Sequence, residues 1–160
     1  MPKYVGVDYG VKKVAFGVLH PREGVQHPEV FSAFWGKKQD ADDVLWELPS
    51  VIADNAALFK DATMVSIEYP FMAKNAKTAV RMAMVAGTLF SHIGPYAPNA
   101  VIHFVPPATW KRDVVGYARA DKEQTIKHME ELYPEVTLNN DDEADALAMA
   151  HWGWKVDPDV

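Results

Sequence analysis

The run Tyr4-Val5-Gly6-Val7-Asp8 is followed, after a turn containing Gly10, by Val14-Ala15-Phe16-Gly17-Val18-Leu19. Both runs have the apolar, β-branched composition that is typical of strands, and the short turn between them predicts a hairpin. A third strand is expected near Val30–Trp35, and a buried strand over Thr63–Glu68. These four runs indicate that the chain is organised around a sheet.

Helical patterns dominate the rest of the chain. Residues 40–60 have helical spacing but contain Pro49, which is expected to interrupt or kink the helix. The clearest helix is predicted over 74–93, and a last strand over Val101–Val105. Further helices are predicted from Pro106 to about Val115, from about Asp121 to Tyr133 and from about Asp141 to Trp154, and loops over 20–28, 116–120 and 155–160. This order predicts an α/β fold with a mixed five-stranded sheet and helices on both faces.

Length and composition limit the class of protein. A chain of 160 residues with 49% hydrophobic content fits a single domain, residues 1–160, with one core. The absence of cysteine excludes disulfides and thiolate metal sites, so a metal site would need carboxylates, histidines or backbone oxygens. The sequence has no signal-peptide or membrane-spanning pattern, which predicts a soluble intracellular protein.

The charge is unevenly distributed along the chain. The formal net charge of −6 argues against a general nucleic-acid coat protein, because nonspecific DNA affinity comes mainly from lysine and arginine. However, no acidic residue lies between Glu68 and Asp113, an interval that contains Lys74, Lys77, Arg81, Lys111 and Arg112. This interval predicts a basic face for a polyanion, although a charge asymmetry without any ligand would give the same pattern.

Carboxylates end two of the predicted strands. Asp8 and Glu68 each follow an apolar run, so they converge at one end of the sheet if the strands are neighbours, and two such anions repel unless a cation joins them. Asp142 and Asp145 are three residues apart on one face of the last helix. Because Asp141 and Asp145 are also helical neighbours, geometry alone leaves the choice between Asp141 and Asp142 open.

Four converging carboxylates predict a metal site. A single acid at a strand end is usually a solvated loop residue, but the joint placement of four favours an oxygen-rich site for Mg²⁺, with Mn²⁺ able to substitute. Two such ions suit phosphodiester cleavage, because they activate water and stabilise the departing oxygen. The sequence therefore predicts a metal-dependent nuclease.

Three longer motifs resemble one family. The first is Glu68-Tyr69-Pro70-Phe71-Met72-Ala73-Lys74-Asn75-Ala76 with Val85-Ala86-Gly87-Thr88-Leu89 after it, and the others are residues 116–124, with His128-Met129 after them, and 142–148. In content, order and spacing they resemble the motifs of RuvC-type Holliday-junction resolvases. The resemblance implies an RNase H-like fold, a homodimer, and paired symmetric nicks across a four-way DNA junction. The small size further suggests a phage or organellar version.

The resemblance also implies roles for single residues. Asp8, Glu68, Asp142 and Asp145 would be the catalytic, metal-binding acids. Lys111 and Lys122 would be catalytic basic residues near the cleaved strand, and Phe71 an aromatic residue at the junction. The complete set of predicted DNA contacts is Phe71, Lys74, Lys77, Arg81, Lys111, Arg112, Arg119 and Lys122. A branch-migration motor as partner is implied by the family alone, since the sequence shows no surface motif for one.

The predicted helix over 74–93 is also the candidate dimer contact. Its small residues permit close approach of a second helix, and two methionines offer adaptable apolar surface, although core packing would explain the same residues. The residues concerned are Ala76, Ala79, Met82, Ala83, Met84 and Ala86.

Other interpretations share parts of this pattern. The first motif departs from the usual family form, because Asp8 is followed by Tyr9-Gly10-Val11. Its pattern Asp-Tyr-Gly-x-Lys-Lys, residues 8–13, is similar to the opening of YqgF-type nucleases and to the phosphate loop of sugar-kinase and actin-like ATPases. The later motifs argue against both, and the chain is too short for a two-lobed ATPase. Two alternatives stay open: a related nuclease acting on flaps, other branched DNA or RNA–DNA hybrids, and a catalytically silent junction-binding protein.

Overall fold

A central sheet organises the computed structural model, which describes residues 1–22, 25–35, 41–70 and 75–160. Its strands are β1 Tyr4–Tyr9, β2 Lys13–Arg22, β3 Val25–Phe34, β4 Met64–Glu68 and β5 Val101–Val105. They lie in the order β3-β2-β1-β4-β5, with β3, β2 and β1 antiparallel and β1, β4 and β5 parallel. The predicted mixed five-stranded sheet is confirmed.

The helices agree closely with the predicted ones. They are α1 Ala41–Asp54, α2 Ala56–Phe59, α3 Ala76–Ile93, α4 Pro107–Trp110, α5 Lys122–Leu132 and α6 Asp141–Val156, with a 3-10 turn at Gly94–Tyr96 and a π-helical turn at Lys111–Val115. In the part of the chain that the structure describes, no helix combines the length and apolar character needed to cross a bilayer.

The two faces of the sheet carry separate cores, because successive side chains of a strand point to opposite sides. Val5, Val7 and Tyr9 of β1 pack in the core beneath α1 and α3, and Tyr4 packs in the core beneath α5 and α6. Asp8 has the same parity as Tyr4, so β1 directs it to the α6 side. The alternation of side chains along β1 thus determines which face of the sheet carries Asp8.

Helix α6 lies unusually close to the sheet. A β-carbon at Gly6 or Gly17 would collide with the α6 backbone at Ala146 and Leu147. Both strands therefore need glycine where the helix crosses them. This close contact fixes the distance of α6 from the sheet, and with it the position of the acidic N-terminal turn of the helix.

The structure differs from two predictions about the chain's local structure. Pro49 does not interrupt the helix, because Val44, Leu48 and Ile52 on both sides of it are fully buried, and this burial outweighs one lost hydrogen bond. The predicted loop over 20–28 is strand up to Arg22 and from Val25 onwards. Beyond Leu19, β2 pairs with the edge strand β3 alone, so prolines in this part of the hairpin disrupt no second ladder.

Candidate active site

Asp8 and Glu68 lie side by side at the ends of two parallel strands. The register pairs Val7 with Ile67, so the next residue of each strand is a carboxylate. Asp8 is 5% exposed and accepts a hydrogen bond from its neighbour Tyr9 N at 2.9 Å. The Tyr9 hydroxyl donates to the Glu68 carbonyl oxygen at 2.9 Å, which ties the two strand ends together.

Helix α6 adds two more acids to this end of the sheet. Asp142, 5% exposed, hydrogen-bonds with the Asp8 side chain, and Asp145 is half-buried one turn further along. The helix begins at Asn140, whose side chain accepts a hydrogen bond from Glu143 N. The helix start therefore directs Asp142 and Asp145 towards the strand acids.

Mutual repulsion and burial perturb these carboxyl groups. Burial, the charges of Glu68 and Asp145, and hydrogen bonding with the Glu68 and Asp142 side chains raise the pKa of Asp8 well above its ordinary value. Burial first, and then chiefly the charge of Glu68, raises the pKa of Asp145 to about 7, against an opposing effect of Lys111. Such shifts mark a cluster in which negative charge is concentrated and poorly compensated.

Three lysines and a tryptophan surround the cluster. Lys13 Nζ contacts Asp142 Oδ1 at 2.6 Å, and Lys122 Nζ lies 3.4 Å from Asp141 Oδ2. Lys111 lies over the ring of the buried Trp110, with Nζ 5.5 Å from the ring centroid. Trp110 Nε1 in turn is 3.4 Å from Glu68 Oε1. Cationic and aromatic groups thus flank the acids on several sides.

The donor set fits a hard divalent cation in its chemistry, because clustered carboxylates are the ligands that Mg²⁺ and Mn²⁺ prefer. Within the described ranges, no three acidic or histidine side chains have the mutual geometry of a metal site. Asp142 is engaged by Lys13. The ligand types are therefore present, but one of them is paired with an internal cation.

Glu143 does not belong to the cluster, although it is the most buried acid of the helix start. Its side chain, on a residue 1% exposed, accepts hydrogen bonds from Ser32 Oγ at 2.7 Å and Asn139 Nδ2 at 2.9 Å, and a longer one from Asn140 Nδ2 at 3.4 Å. These contacts attach α6 to β3 and to the preceding loop. Glu143 is an anchor for the helix.

The predicted basic residues have different surroundings. Lys77 and Arg81 line a groove of about 360 Å³ between α1 and α3. Arg112 forms an ion pair with Asp113 at 3.0 Å, and Arg119 is exposed in the loop before α5. Phe71 and Lys74 lie outside the described residues.

Sequence reasoning did not identify Lys13, Tyr9 or Trp110 as part of the site. Lys13 is the last residue of the Asp-Tyr-Gly-x-Lys-Lys pattern, which resembles the first motif of other nucleases. This pattern indicated that Lys13 could lie near the site. Nothing in the sequence distinguishes Trp110 from the other tryptophans, because its contact with Glu68 depends on how α4 follows β5.

Comparisons with known proteins identify a family that matches this chain. A family model described as crossover junction endodeoxyribonuclease RuvC matches residues 4–151. The protein of that name from Rickettsia akari is 36% identical over 89 residues, which cover 55% of each chain. The one from Cereibacter sphaeroides is 29% identical over 164 residues, covering 92% of this chain and 86% of the relative. The match thus spans about half the length of the Rickettsia relative and most of the Cereibacter one.

A solved structure shows the same fold. RuvC of Thermus thermophilus in complex with a Holliday junction substrate superposes with a TM-score of 0.76 at 16% sequence identity, covering 92% of this chain and 90% of the other. At this identity the likeness concerns the fold, and it confirms the predicted RNase H-like architecture.

Proposed function

This chain belongs to the RuvC family, and on that premise we propose that it is an endonuclease that resolves four-way DNA junctions by metal-dependent phosphodiester hydrolysis. The observation that carries the proposal is the convergence of Asp8, Glu68, Asp142 and Asp145 at one end of the sheet. A binding protein without catalysis has no need to concentrate acids where they repel one another and would also repel DNA.

In the proposed site the four acids hold divalent ions, two per active site, with Mg²⁺ as the cofactor and Mn²⁺ as a substitute. When bound, such ions supply an activated water and stabilise the departing 3′ oxygen. The protein's part is positioning: Asp8 and Glu68 are fixed by strand pairing, and Asp142 and Asp145 by the close packing of α6.

Lys111, held over Trp110, supplies positive charge beside Asp145 for the scissile phosphate. Lys122, beside Asp141, supplies it on the other side of the helix start.

DNA contacts are proposed for the basic residues outside the acid cluster: Lys77, Arg81, Arg112 and Arg119, with Phe71 and Lys74 as further expected contacts. Removing one phosphate-contacting cation lowers the slope of log affinity against log salt by about one. Lys77→Met and Arg119→Met should each flatten the slope for junction DNA. The matched control is Lys60→Met, an exposed lysine outside the proposed interface. Slopes equal to the wild type in both test variants would remove these residues from the interface.

A symmetric pair of nicks requires two active sites related by a twofold axis, so we propose a homodimer. Helix α3 provides the contact in this proposal, with a correction to its residues. Met82 and Ala86 are buried in the core, so they are not available to a partner. The exposed apolar positions follow helical spacing: Ala76, Val80, Ala83, Met84, Gly87 and Phe90.

The exposed stripe has the composition of a helix contact. Val80 and Met84 are 55% and 52% exposed, and they border the groove between α1 and α3. Ala83 and Gly87 leave room for a second backbone to approach closely, and a β-carbon at Gly87 would meet nothing within 4 Å. A second copy of α3 is the occupant we propose. Val80→Glu combined with Met84→Glu should give monomers in sedimentation at concentrations where the wild type is a dimer; a monomeric wild type, with and without junction DNA, contradicts the assembly.

Nicking assays test the function directly. The wild type should cut a synthetic mobile four-way junction in Mg²⁺, at symmetric positions on two strands, and should leave it intact in EDTA. A duplex, a flap and an RNA–DNA hybrid of the same sequence serve as competitor substrates. Faster cutting of the flap or hybrid would reassign the substrate, and binding of the junction without any cutting in Mg²⁺ or Mn²⁺ would make the protein a junction binder.

A further inference from the structure

The turn between β1 and β2 presents a lysine to the acid cluster. Gly10 N donates to Lys13 O at 2.9 Å, which closes the hairpin turn at the end of β1. From this position the Lys13 side chain reaches α6 and donates from Nζ to Asp142 Oδ1 at 2.6 Å, a contact between residues 129 positions apart. The hairpin thus delivers a cation to a carboxylate of the last helix.

The Lys13 side chain is 36% exposed, but contacts along its stem and at its tip define its path. A β-carbon at Gly10 would lie 3.0 Å from Lys13 Cε and 3.1 Å from Cγ, so the aliphatic stem occupies the space that glycine leaves free. At its other end the ammonium group contacts a carboxylate whose side chain is only 8% exposed. A lysine held along its stem and at its tip has a defined position, unlike a typical surface lysine.

The contact compensates charge where it is most concentrated. Asp142 also hydrogen-bonds with Asp8 and lies near Asp145, and Glu68 lies near both Asp8 and Asp145. The Lys13 ammonium, 2.6 Å from an Asp142 oxygen, therefore places a positive charge directly against the acids.

We propose that Lys13 is the resident counter-ion of the acid cluster: it occupies Asp142 until a divalent ion binds, and it thereby sets the metal affinity of the site. The proposal rests on the proposed metal-dependent function. It follows from the geometry because the Lys13 ammonium nitrogen lies 2.6 Å from Asp142 Oδ1, so a divalent ion that approaches this oxygen meets a positive charge at hydrogen-bond distance. A metal ion then competes with Lys13 for Asp142, and the positive charge of Lys13 opposes the incoming ion.

Lys13→Met tests this exchange, because it keeps the length of the stem and removes the charge. Titration calorimetry with Mn²⁺ in the absence of DNA should show binding tightened roughly tenfold, the scale expected for removing a unit charge a few ångströms from the ion. In EDTA the variant should melt at a lower temperature than the wild type, and added Mg²⁺ should raise its melting temperature by more. Lys13→Arg retains the charge and should keep affinity within about threefold of the wild type.

Two further variants control the interpretation. Lys12→Met makes the same change in charge at an exposed neighbour and should leave Mn²⁺ affinity unchanged. Gly10→Ala should shift the lysine stem by a few tenths of an ångström and tighten Mn²⁺ binding by a factor smaller than that of Lys13→Met, without changing the charge of the protein.

The outcomes separate this inference from the proposed function. Unchanged or weaker Mn²⁺ binding by Lys13→Met, in a wild type that binds Mn²⁺ and cuts junctions, overturns the role of Lys13 alone. Absence of Mn²⁺ binding in both proteins overturns the role of Lys13 and the metal-dependent function together. Equal tightening by Lys12→Met would reduce the effect to net charge and would also overturn the proposal.

Discussion

Asp142 and Glu143 are adjacent residues of one helix, both almost completely buried, in opposite surroundings. Glu143 is held by neutral donors from Ser32, Asn139 and Asn140. Asp142 faces the Asp8 carboxyl group on one side and the Lys13 ammonium on the other. One step along the helix, about 100° of rotation, separates a hydrogen-bonded anchor from a member of a repulsive cluster.

The difference shows how to distinguish two uses of a buried acid. Desolvating a carboxylate is costly, and neutral hydrogen bonds offset that cost locally, so such a residue contributes to the stability of the fold. A carboxylate placed among other carboxylates adds repulsion to the cost of burial, and only a cation offsets both. Glu143 should therefore matter for folding, and the acid cluster for catalysis at some cost to stability.

The largest expected effect is on cleavage. Asp8→Asn and Asp145→Asn preserve the shape of the side chain but remove a metal-binding charge. Loss of a residue that only hydrogen-bonds to a metal ligand typically costs about 10–100-fold in activity. Loss of a proposed ligand should therefore lower junction cleavage in Mg²⁺ on the order of a hundredfold or more. Junction binding should be retained within a few-fold. In EDTA both variants should melt at or above the wild-type temperature, because they relieve repulsion.

The control for this experiment is Glu143→Gln, which removes the same charge from the same helix turn outside the cluster. It should cleave within a few-fold of the wild type at a temperature where it is folded. Near wild-type cleavage by Asp8→Asn, or a loss by Glu143→Gln as large as that of Asp145→Asn, contradicts the division between the two groups of acids.

The second prediction concerns stability. Glu143→Ala leaves the hydrogen-bond donors of Ser32, Asn139 and Asn140 without their common acceptor and empties a buried position, which should lower the free energy of unfolding by about 1–3 kcal/mol. Chemical denaturation in EDTA measures this difference. Asp145→Ala is the matched comparison. It removes a charge from the repulsive cluster, so it should lower the free energy of unfolding by less than Glu143→Ala does. Equal losses would mean that both acids serve the fold.

The sequence alone identified the acids at the strand ends but not this division. Asp8 and Glu68 end apolar strands, and parallel pairing of β1 with β4 brings them together as expected. On α6 the sequence offers Asp141, Asp142 and Glu143 in succession. Which of them faces the cluster depends on how α6 is rotated against β1 and β2, and that rotation is set by packing against Gly6 and Gly17 rather than by local pattern.

Elements were predictable where a pattern is local, and not where tertiary contacts override it. The strands and the amphipathic helix α3 follow from hydrophobic periodicity, which has a direct physical cause in burial. Pro49 indicated an interruption that core packing overrides, and the prolines near the β2–β3 turn indicated a loop where an edge strand tolerates them. The first motif contains Lys13, but its contact with Asp142 could not be predicted because the two residues are 129 positions apart.

The third prediction concerns pH. The raised pKa of Asp145, about 7 against an ordinary 3.8, means that the folded protein keeps a proton between these values that the unfolded chain releases. The release of this proton on unfolding therefore makes folding less favourable as pH rises through that interval. Asp145→Asn removes it, so in EDTA the melting temperature of the variant minus that of the wild type should increase from pH 4 to about pH 8.

Comparison of the two proteins is necessary because other groups titrate in the same interval. Burial lowers the pKa of His151 to about 4, so titration of this histidine makes folding more favourable as pH rises, which is the opposite direction. His151 is present in both proteins, so its contribution cancels in the difference. A difference in melting temperature that stays constant over this pH range contradicts the raised pKa of Asp145.

The smallest expected effect is at Asp141, which tests the boundary of the cluster. Asp141 is partly exposed and pairs with the exposed Lys122 at 3.4 Å, whereas Asp142 contacts Asp8 and Lys13. Both lie in the first turn of α6, so Asp141→Asn and Asp142→Asn remove equal charge from the same helix end and alter its dipole interaction alike. Asp141→Asn should change unfolding free energy by less than about 1 kcal/mol, as exposed ion pairs do, and cleavage by less than threefold. Asp142→Asn should reduce cleavage about a hundredfold, as expected for a metal ligand. Single-turnover cleavage of the same junction by the two variants measures the contrast. A greater loss of cleavage for Asp141→Asn would transfer the ligand role to Asp141. Asp142 would then belong, with Glu143, to the acids that stabilise the fold.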